Sequence, residues 1–406
     1  MNFKKFMQAA LVTLSCGLLN IAGAEQRVIH VPTDYAQQKA EASLKMTGPK
    51  LLFSDSPETV YDNGILYRDK VQGEVRLFLH HVNGVSGTTK KLAVLVKNKD
   101  SLRPVAYSIT RRGEAGYSYD YLAAGKKAQK KYLEEDKQKP LESKLGFGRS
   151  AELLTGRGIA MPSDKLYTET IDMYFAKPVE FSVLMCEEKT DLELFNEAAP
   201  ILPMDEHPLR GTFEGSDWNY KLKKPISKPS EALYLELASP SLPEGYAKGV
   251  DATTGLPAEN YGNYGVLYNV DFTIKGKEPV TFIFNPIGGW FAGYGVLENK
   301  TKGERKLIGL PQNQISVGDP EDEALDLGLL HAGEYRFTWS PPGASNLPVQ
   351  VIWIRPGERW QCAPRGARKQ RDLMYLCLTG GDNVVHYVYK NVEYKLRFKF
   401  ESVSKF

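Results

Sequence analysis

In the stretch GVLYNVDFTI, apolar and polar side chains alternate with a period of two. Val266, Tyr268, Val270, Phe272 and Ile274 share one face, and Asn269, Asp271 and Thr273 take the other. VEYKLRFKFE repeats the pattern, with Tyr394, Leu396, Phe398 and Phe400 set against Lys395, Arg397, Lys399 and Glu401. Such alternation marks a strand with one buried face, as in antiparallel sheets. Similar runs fall at 75–82, 92–97, 105–110, 181–186, 233–237, 281–284 and 349–354. Many short strands punctuated by Gly and Pro predict a mainly β chain of sandwich-like or barrel-like units.

One segment breaks the pattern. From Asp120 to about Lys137, Tyr121, Ala124, Ala128 and Tyr132 recur at helical spacing, and Leu122 and Leu133 widen the stripe. This predicts a helix near 120–137, lying across a sheet.

The segment 195–213, with Pro200, Pro203 and Pro208, reads as a stiff extended connector. It separates an N-terminal β-rich domain at 26–200, which carries the helix, from a C-terminal sandwich-like domain at 205–406. No internal repeat of domain-building length is present.

The first residues read as an address. Lys4 and Lys5 precede an apolar run from Ala9 to Ile21, and Ala22-Gly23-Ala24 follows as a small-x-small site. This is the layout of a cleaved signal peptide at 1–24, which predicts an exported protein, secreted or associated with the cell envelope. A lipoprotein with Cys16 as the lipidated residue is the alternative. No later stretch is long and apolar enough to suggest a transmembrane helix. The formal net charge is +3, and Lys4 and Lys5 account for two of those charges. A nearly neutral remainder argues against nucleic acid as a partner.

Of four cysteines, removal of Cys16 leaves Cys186, Cys362 and Cys377. Cys362 and Cys377 are the candidate disulfide. Their bridge would close a loop of about 15 residues and contribute about 3 kcal/mol. Cys186, in EFSVLMCEE, reads as a buried core thiol; three reduced thiols are the alternative.

The stretch FNPIGGWFAGYG, residues 284–295, follows a predicted strand. Its glycine offsets match no phosphate-binding loop. Two readings stay open. In one, the glycines permit tight packing and Trp290 and Phe291 are core. In the other, Trp290 and Tyr294 form flat platforms for a sugar face. NYGNYG at 260–265 and SPPGASNLP at 340–348 are the other irregular loops of this half. The three could meet at one end of a sandwich, as binding loops do. The candidate ligand-binding residues are Trp290, Tyr294, Tyr261, Tyr264, Asn346 and Asp251.

No set of metal ligands is recognisable by spacing. His80 and His81 are adjacent on a strand and face opposite ways, so they cannot readily share one metal. The acidic run GDPEDEALD misses the calcium-loop pattern and reads as a solvated loop. No nucleophile elbow occurs, and no cofactor is expected. Asp217 and Asp251 are glycine-flanked acids, each readable as a turn residue capping its own backbone.

Several strings together resemble a group of secreted bacterial proteins that carry the label copper amine oxidase N-terminal domain. They are LLFSDSPETVYDNGILYRDKVQGEVRLFLHHVN, GYSYDYLAAGKKAQKKYL, NYGNYGVLYNVDF, FNPIGGWFAG and SPPGASNLPV. The resemblance covers most of the mature chain. It implies an exported, mainly β protein, often tied to the envelope. A true amine oxidase forms its quinone from Tyr in an Asn-Tyr-Asp/Glu setting and holds copper with His-x-His. Here Gly follows Tyr261 and Tyr264, and no His-x-His occurs. Neither the quinone nor the copper set carries over.

The expectation is a non-catalytic, envelope-associated protein that binds a surface polymer or glycan. The alternatives are an extracellular carbohydrate hydrolase acting through paired carboxylates and an assembly factor for another surface protein.

Overall fold

A computed structural model describes residues 26–31, 37–134, 139–227, 229, 231–318 and 322–356, together with the backbone of 377–378, 384–389 and 392–397. The chain is mainly β. Each run of alternating residues named above lies largely in a strand where its residues are described, from Gly64–Asn83 and Leu166–Glu187 to Leu267–Ile274 and Val392–Arg397; residues 398–401 lie outside the described ones. Among the described residues no helix is long and apolar enough to cross a membrane.

Two six-stranded sheets face one another as a sandwich. One runs in the order Arg27–His30, Glu323–Leu330, Val280–Asn285, Val349–Ile354, Ala232–Leu237, Gln37–Lys39. The other runs Glu304–Leu310, Gly293–Asn299, Gly333–Trp339, Leu267–Ile274, Asp217–Leu222, Ala42–Thr47. Their inner faces meet through aromatic rings. Phe272 lies 5.5 Å from Phe282 and 5.1 Å from Trp353, and Phe284 lies 6.0 Å from Trp339. Burying one such ring stabilises by roughly 1.5–3 kcal/mol, so this aromatic layer is a main source of the sandwich's cohesion.

A twelve-stranded sheet completes the main body. Its spine is the antiparallel pair Gly64–Asn83 and Leu166–Glu187, bent by register shifts between Phe175 and Val179 and between Val183 and Leu184. Both faces of this spine are covered. Leu77 and Leu79 point into a core of their own sheet, while Phe78 joins the sandwich core beside Phe53 and Phe213. Double-sided burial explains why 75–83 is buried throughout and not only at every second residue.

The expected boundary at 200–205 does not divide these sheets. Gln37–Lys39 and Ala42–Thr47 are strands of the C-terminal sandwich, and Arg210–Phe213, Lys248–Asp251 and Leu256–Glu259 extend the N-terminal sheet. Tyr35–Glu358 forms one compact unit. Arg359–Phe406 belongs to a second, small one, in which Cys377–Leu378, Val384–Tyr389 and Val392–Arg397 form a three-stranded sheet. The proposed Cys362–Cys377 bridge, like the leader at 1–24, lies outside the described side chains.

The predicted helix is Tyr121–Leu133, and Asp120 caps it by accepting from Ala123 N at 2.9 Å. A short second helix, Leu192–Ala198, replaces the first residues of the expected extended connector. Asp191 caps it with bonds from the Glu193 and Leu194 amides, so a cap at its start outweighs the prolines that follow. Cys186 is buried and free, its sulfur 3.8 Å from the Lys91 carbonyl.

A buried ion network ties the long strands to the sandwich and the helix. Arg76 Nε donates to Asp172 Oδ1 at 2.8 Å, and Arg76 Nη1 to Asp217 Oδ1 at 2.9 Å. Arg111 Nη2 donates to Asp172 Oδ2 at 2.7 Å, and the Tyr132 hydroxyl donates to both Asp172 oxygens. Asp217 is thus a structural partner of Arg76.

Candidate functional site

Strand register builds a pocket. Lys50–Ser54 runs parallel to Gly64–Asn83, with Phe53 opposite Phe78 and Ser54 opposite Leu79. The next residue, Asp55, therefore arrives beside His80. The chain then turns through Ser56 and Pro57, and Thr59 pairs with Val82. That turn brings Glu58 back to the same place, where its carbonyl accepts from Val82 N at 2.8 Å. One ligating atom from each of Asp55, Glu58 and His80 lies within 4.8 Å of those of the other two.

Asp205 holds the turn. It accepts from Ser56 Oγ at 2.8 Å and from the Glu58 amide at 2.7 Å. His81 points away from His80, as strand alternation requires. Its ring meets Ser54 Oγ at 2.8 Å and the Pro57 carbonyl at 2.9 Å. One histidine thus secures the turn while its neighbour faces the pocket.

Asp55, Glu58, Phe78, His80, Tyr121, Leu209, Tyr264, Gly343 and Ala344 line an open pocket of about 130 Å³. Asp55 and His80 are buried, and Glu58 is partly exposed. Burial, reinforced by Glu58 and Asp205, holds the Asp55 carboxyl well above the usual carboxylate range. Burial and Asp205 also raise Glu58, opposed by His207. Burial and His81 push the His80 imidazole down to about 3, so it is neutral across the physiological range. Asp55 Oδ1 and His80 Nδ1 are buried with no hydrogen-bond partner.

The three irregular loops converge beside this pocket. Asn346 N donates to Trp290 O at 2.8 Å, and Gly288 N to Pro348 O at 2.9 Å. The Tyr264 hydroxyl donates to Ser345 O at 3.0 Å, and Ala292 N to Ser345 Oγ at 3.1 Å. The loop that carries Asn346 also supplies Gly343 and Ala344 to the pocket wall. Inside the 260–265 loop, Asn260 Nδ2 donates to the Tyr264 carbonyl and Asn263 Nδ2 to the Tyr268 hydroxyl. Its asparagines therefore serve the turn itself.

The candidate residues divide by environment. Trp290 is 50% exposed and Tyr261 49%, and Asn346 is exposed. Phe291 is fully buried, 4.9 Å from Phe284. The glycine-aromatic stretch therefore combines both readings, one ring inward and the next outward. Tyr264 is a pocket wall, its ring 6.1 Å from Phe78.

Tyr294 is not a surface platform. It packs under the helix, with Lys126 and Lys130 within 6 Å of its ring and its amide bonded to Gln129 Oε1. Asp251 is not at the loop cluster's surface either. It is buried, with Oδ2 taken by Arg210 and Thr254 and Oδ1 by Thr253. Its carboxylate is drawn into an ion pair with Arg210, which lies far from it in the chain.

Asp55, Glu58 and His80 were not singled out together by sequence. All three lie within the string 51–83 that carries the family resemblance. The available signal was a proline turn with two acids after an apolar strand, and a histidine pair ending the next. Only the parallel register joins them.

No protein-family profile matches the chain, and no curated protein matches it in sequence. Solved structures with some likeness include an oxalate decarboxylase from Lactobacillus farciminis, at 8% identity and a TM-score of 0.15, over 77% of this chain and 87% of that one. A 7S globulin from Momordica charantia has 11% identity and a TM-score of 0.13, over 71% and 78%. An allantoicase has 14% identity and a TM-score of 0.14, over 76% and 91%. Likeness at this level assigns neither chemistry nor ligand.

Proposed function

We propose that this chain is an exported, envelope-associated binding protein, and that its ligand is a surface polymer or glycan held on the converging loops. One observation carries the reading. The loops at 260–265, 284–295 and 340–348 are hydrogen-bonded into one cluster that leaves Trp290 and Tyr261 half-exposed and Asn346 exposed. Aromatic faces beside an amide are what a sugar ring needs, since the rings cover C–H faces and the amide fixes hydroxyl orientation. Loops tied to a rigid sandwich also bind with little ordering cost.

The small size of the acid pocket favours binding over hydrolysis. A volume of about 130 Å³ is well below the roughly 300 Å³ at which small-molecule pockets begin. A pocket this small suits a single small group better than a pair of sugar rings, although it has the paired carboxylates that a hydrolase uses.

The test is co-sedimentation of the mature protein with isolated cell-wall polysaccharide, run beside a Trp290→Ala/Tyr261→Ala double variant. The reading expects the parent to pellet with the polymer and the folded double variant to stay in solution. A parent that stays in solution contradicts it and favours a protein partner. Release of reducing sugar by the parent, lost in Glu58→Gln, would favour the hydrolase.

A further inference from the structure

We propose that Asp55, Glu58 and His80 form a site for a divalent transition-metal cation of the zinc or manganese class. The inference does not depend on polymer binding. It rests first on convergence, since three ligating atoms from two segments of chain lie within 4.8 Å of one another. Among the described residues no other group of His, Cys, Asp and Glu does so.

It rests second on unmet need. Asp55 Oδ1 and His80 Nδ1 are buried without a hydrogen-bond partner, an arrangement that folded proteins rarely keep without a use. The other buried carboxylates of the main body are answered. Asp172 has Arg76 and Arg111, Glu169 has Arg112 and the Tyr167 hydroxyl, and Asp251 has Arg210. Among the described residues neither Asp55 nor Glu58 forms an ion pair, and Asp205 adds a further negative charge to their surroundings. The pocket therefore gathers acids that no ion pair among the described residues balances, with only His207 favouring a charged Glu58.

The walls suit an ion with its waters. About 130 Å³ corresponds to a few water molecules at roughly 30 Å³ each. Gly343 supplies close backbone approach, because a Cβ there would lie 2.7 Å from His80 Nδ1. Ala344 next to it takes a φ of 64° and also lines the pocket.

The donor set selects the metal. Calcium and magnesium take oxygen ligands almost exclusively. An imidazole together with two carboxylates suits zinc, manganese or iron(II), and three protein ligands leave coordination positions for water or a ligand group. His81, bonded to Ser54 and Pro57, and Asp205, bonded to Ser56 and Glu58, fix the segment that presents the carboxylates.

The experiment is calorimetric titration of the chelator-stripped full chain with zinc, manganese and calcium salts, each alone. The expected result is one saturable equivalent of zinc or manganese, bound at least tenfold more tightly than calcium. Asp55→Asn and the partly exposed Glu58→Gln should each weaken it tenfold or more, with unchanged circular dichroism. His30→Gln, a surface control, should bind as the parent does. Absence of saturable binding in the parent overturns the proposal. So does binding that survives in both folded acid variants, or a preference for calcium.

Discussion

Gly343 lies against the imidazole of His80 so closely that a Cβ at this position would sit 2.7 Å from Nδ1. The same glycine's carbonyl would lie 2.2 Å from a Cβ placed on Gly125 of the helix. One residue of the 340–348 loop is thus wedged between helix and pocket. Gly343→Ala must move the loop or the ring. We expect a stability loss of about 1–3 kcal/mol, the usual cost of overpacking. Zinc binding should weaken with it, as read by urea denaturation and by titration of the same sample.

Asp55 should be a residue that the fold would be better without. Its carboxyl is buried, and one oxygen lacks a partner. Burial holds its carboxyl well above the usual range, so metal-free folding at neutral pH must either take up a proton or bury an uncompensated charge, a cost that the neutral amide avoids. In metal-free buffer at neutral pH, Asp55→Asn should be more stable than the parent by about 1–3 kcal/mol. Added zinc should stabilise the parent more than the variant, whose affinity is lower, by mass action on the native state. Thermal melts with and without zinc give both comparisons.

Asp172 should behave in the opposite way. Arg76 and Arg111 both depend on it, and Arg76 is fully buried. Asp172→Asn leaves two guanidinium groups without their shared carboxylate. Because Arg76 keeps its pair with Asp217, the expected cost lies at the lower end for a broken buried pair, about 3 kcal/mol, read from urea denaturation at pH 7.

The same residue sets an acid limit. Burial alone would raise its pKa, but Arg76 and Arg111 outweigh burial and depress it below the ordinary value of 3.8. A carboxylate depressed in the folded state adds stability that is fully present above its unfolded pKa and lost as pH falls through the folded one. The contribution from Asp172 should therefore be intact at pH 5 and decline only below about pH 4. Denaturation curves of parent and Asp172→Asn should converge as the pH drops through that range.

Trp290 and Tyr261 predict the converse of a core residue. Both are about half-exposed, and Tyr261 touches Tyr246 edge-on at 6.1 Å. Trp290→Ala and Tyr261→Ala should each change stability by no more than about 0.5 kcal/mol while reducing polymer retention. Phe291→Ala, one residue along and fully buried, should cost about 3–5 kcal/mol. A scan of the three by thermal melting and co-sedimentation distinguishes a platform from a core.

Most strands were legible because alternation records burial, as residues 270–274 show, whereas 267–270 are buried throughout. The helix was legible from its stripe and from Asp120. The interleaving of strands was not. Nothing in 37–47 marks those residues as partners of strands near 217 and 232, because sheet pairing over such separations leaves no local pattern. Tyr294 and Asp251 misled for a related reason: their partners, the helix lysines and Arg210, lie far away in the chain. His80 and His81 were read correctly as facing opposite ways. That same alternation leaves His80 free to meet two acids more than twenty residues earlier, which only the parallel register of Lys50–Ser54 makes neighbours.

The most direct test of the cation site is X-ray diffraction from crystals soaked in zinc, recorded above and below the zinc absorption edge. The account predicts one strong anomalous peak in contact with Asp55, Glu58 and His80, absent from crystals of Asp55→Asn. No peak in that pocket, with zinc found only at exposed histidines such as His30 or His207, would contradict it.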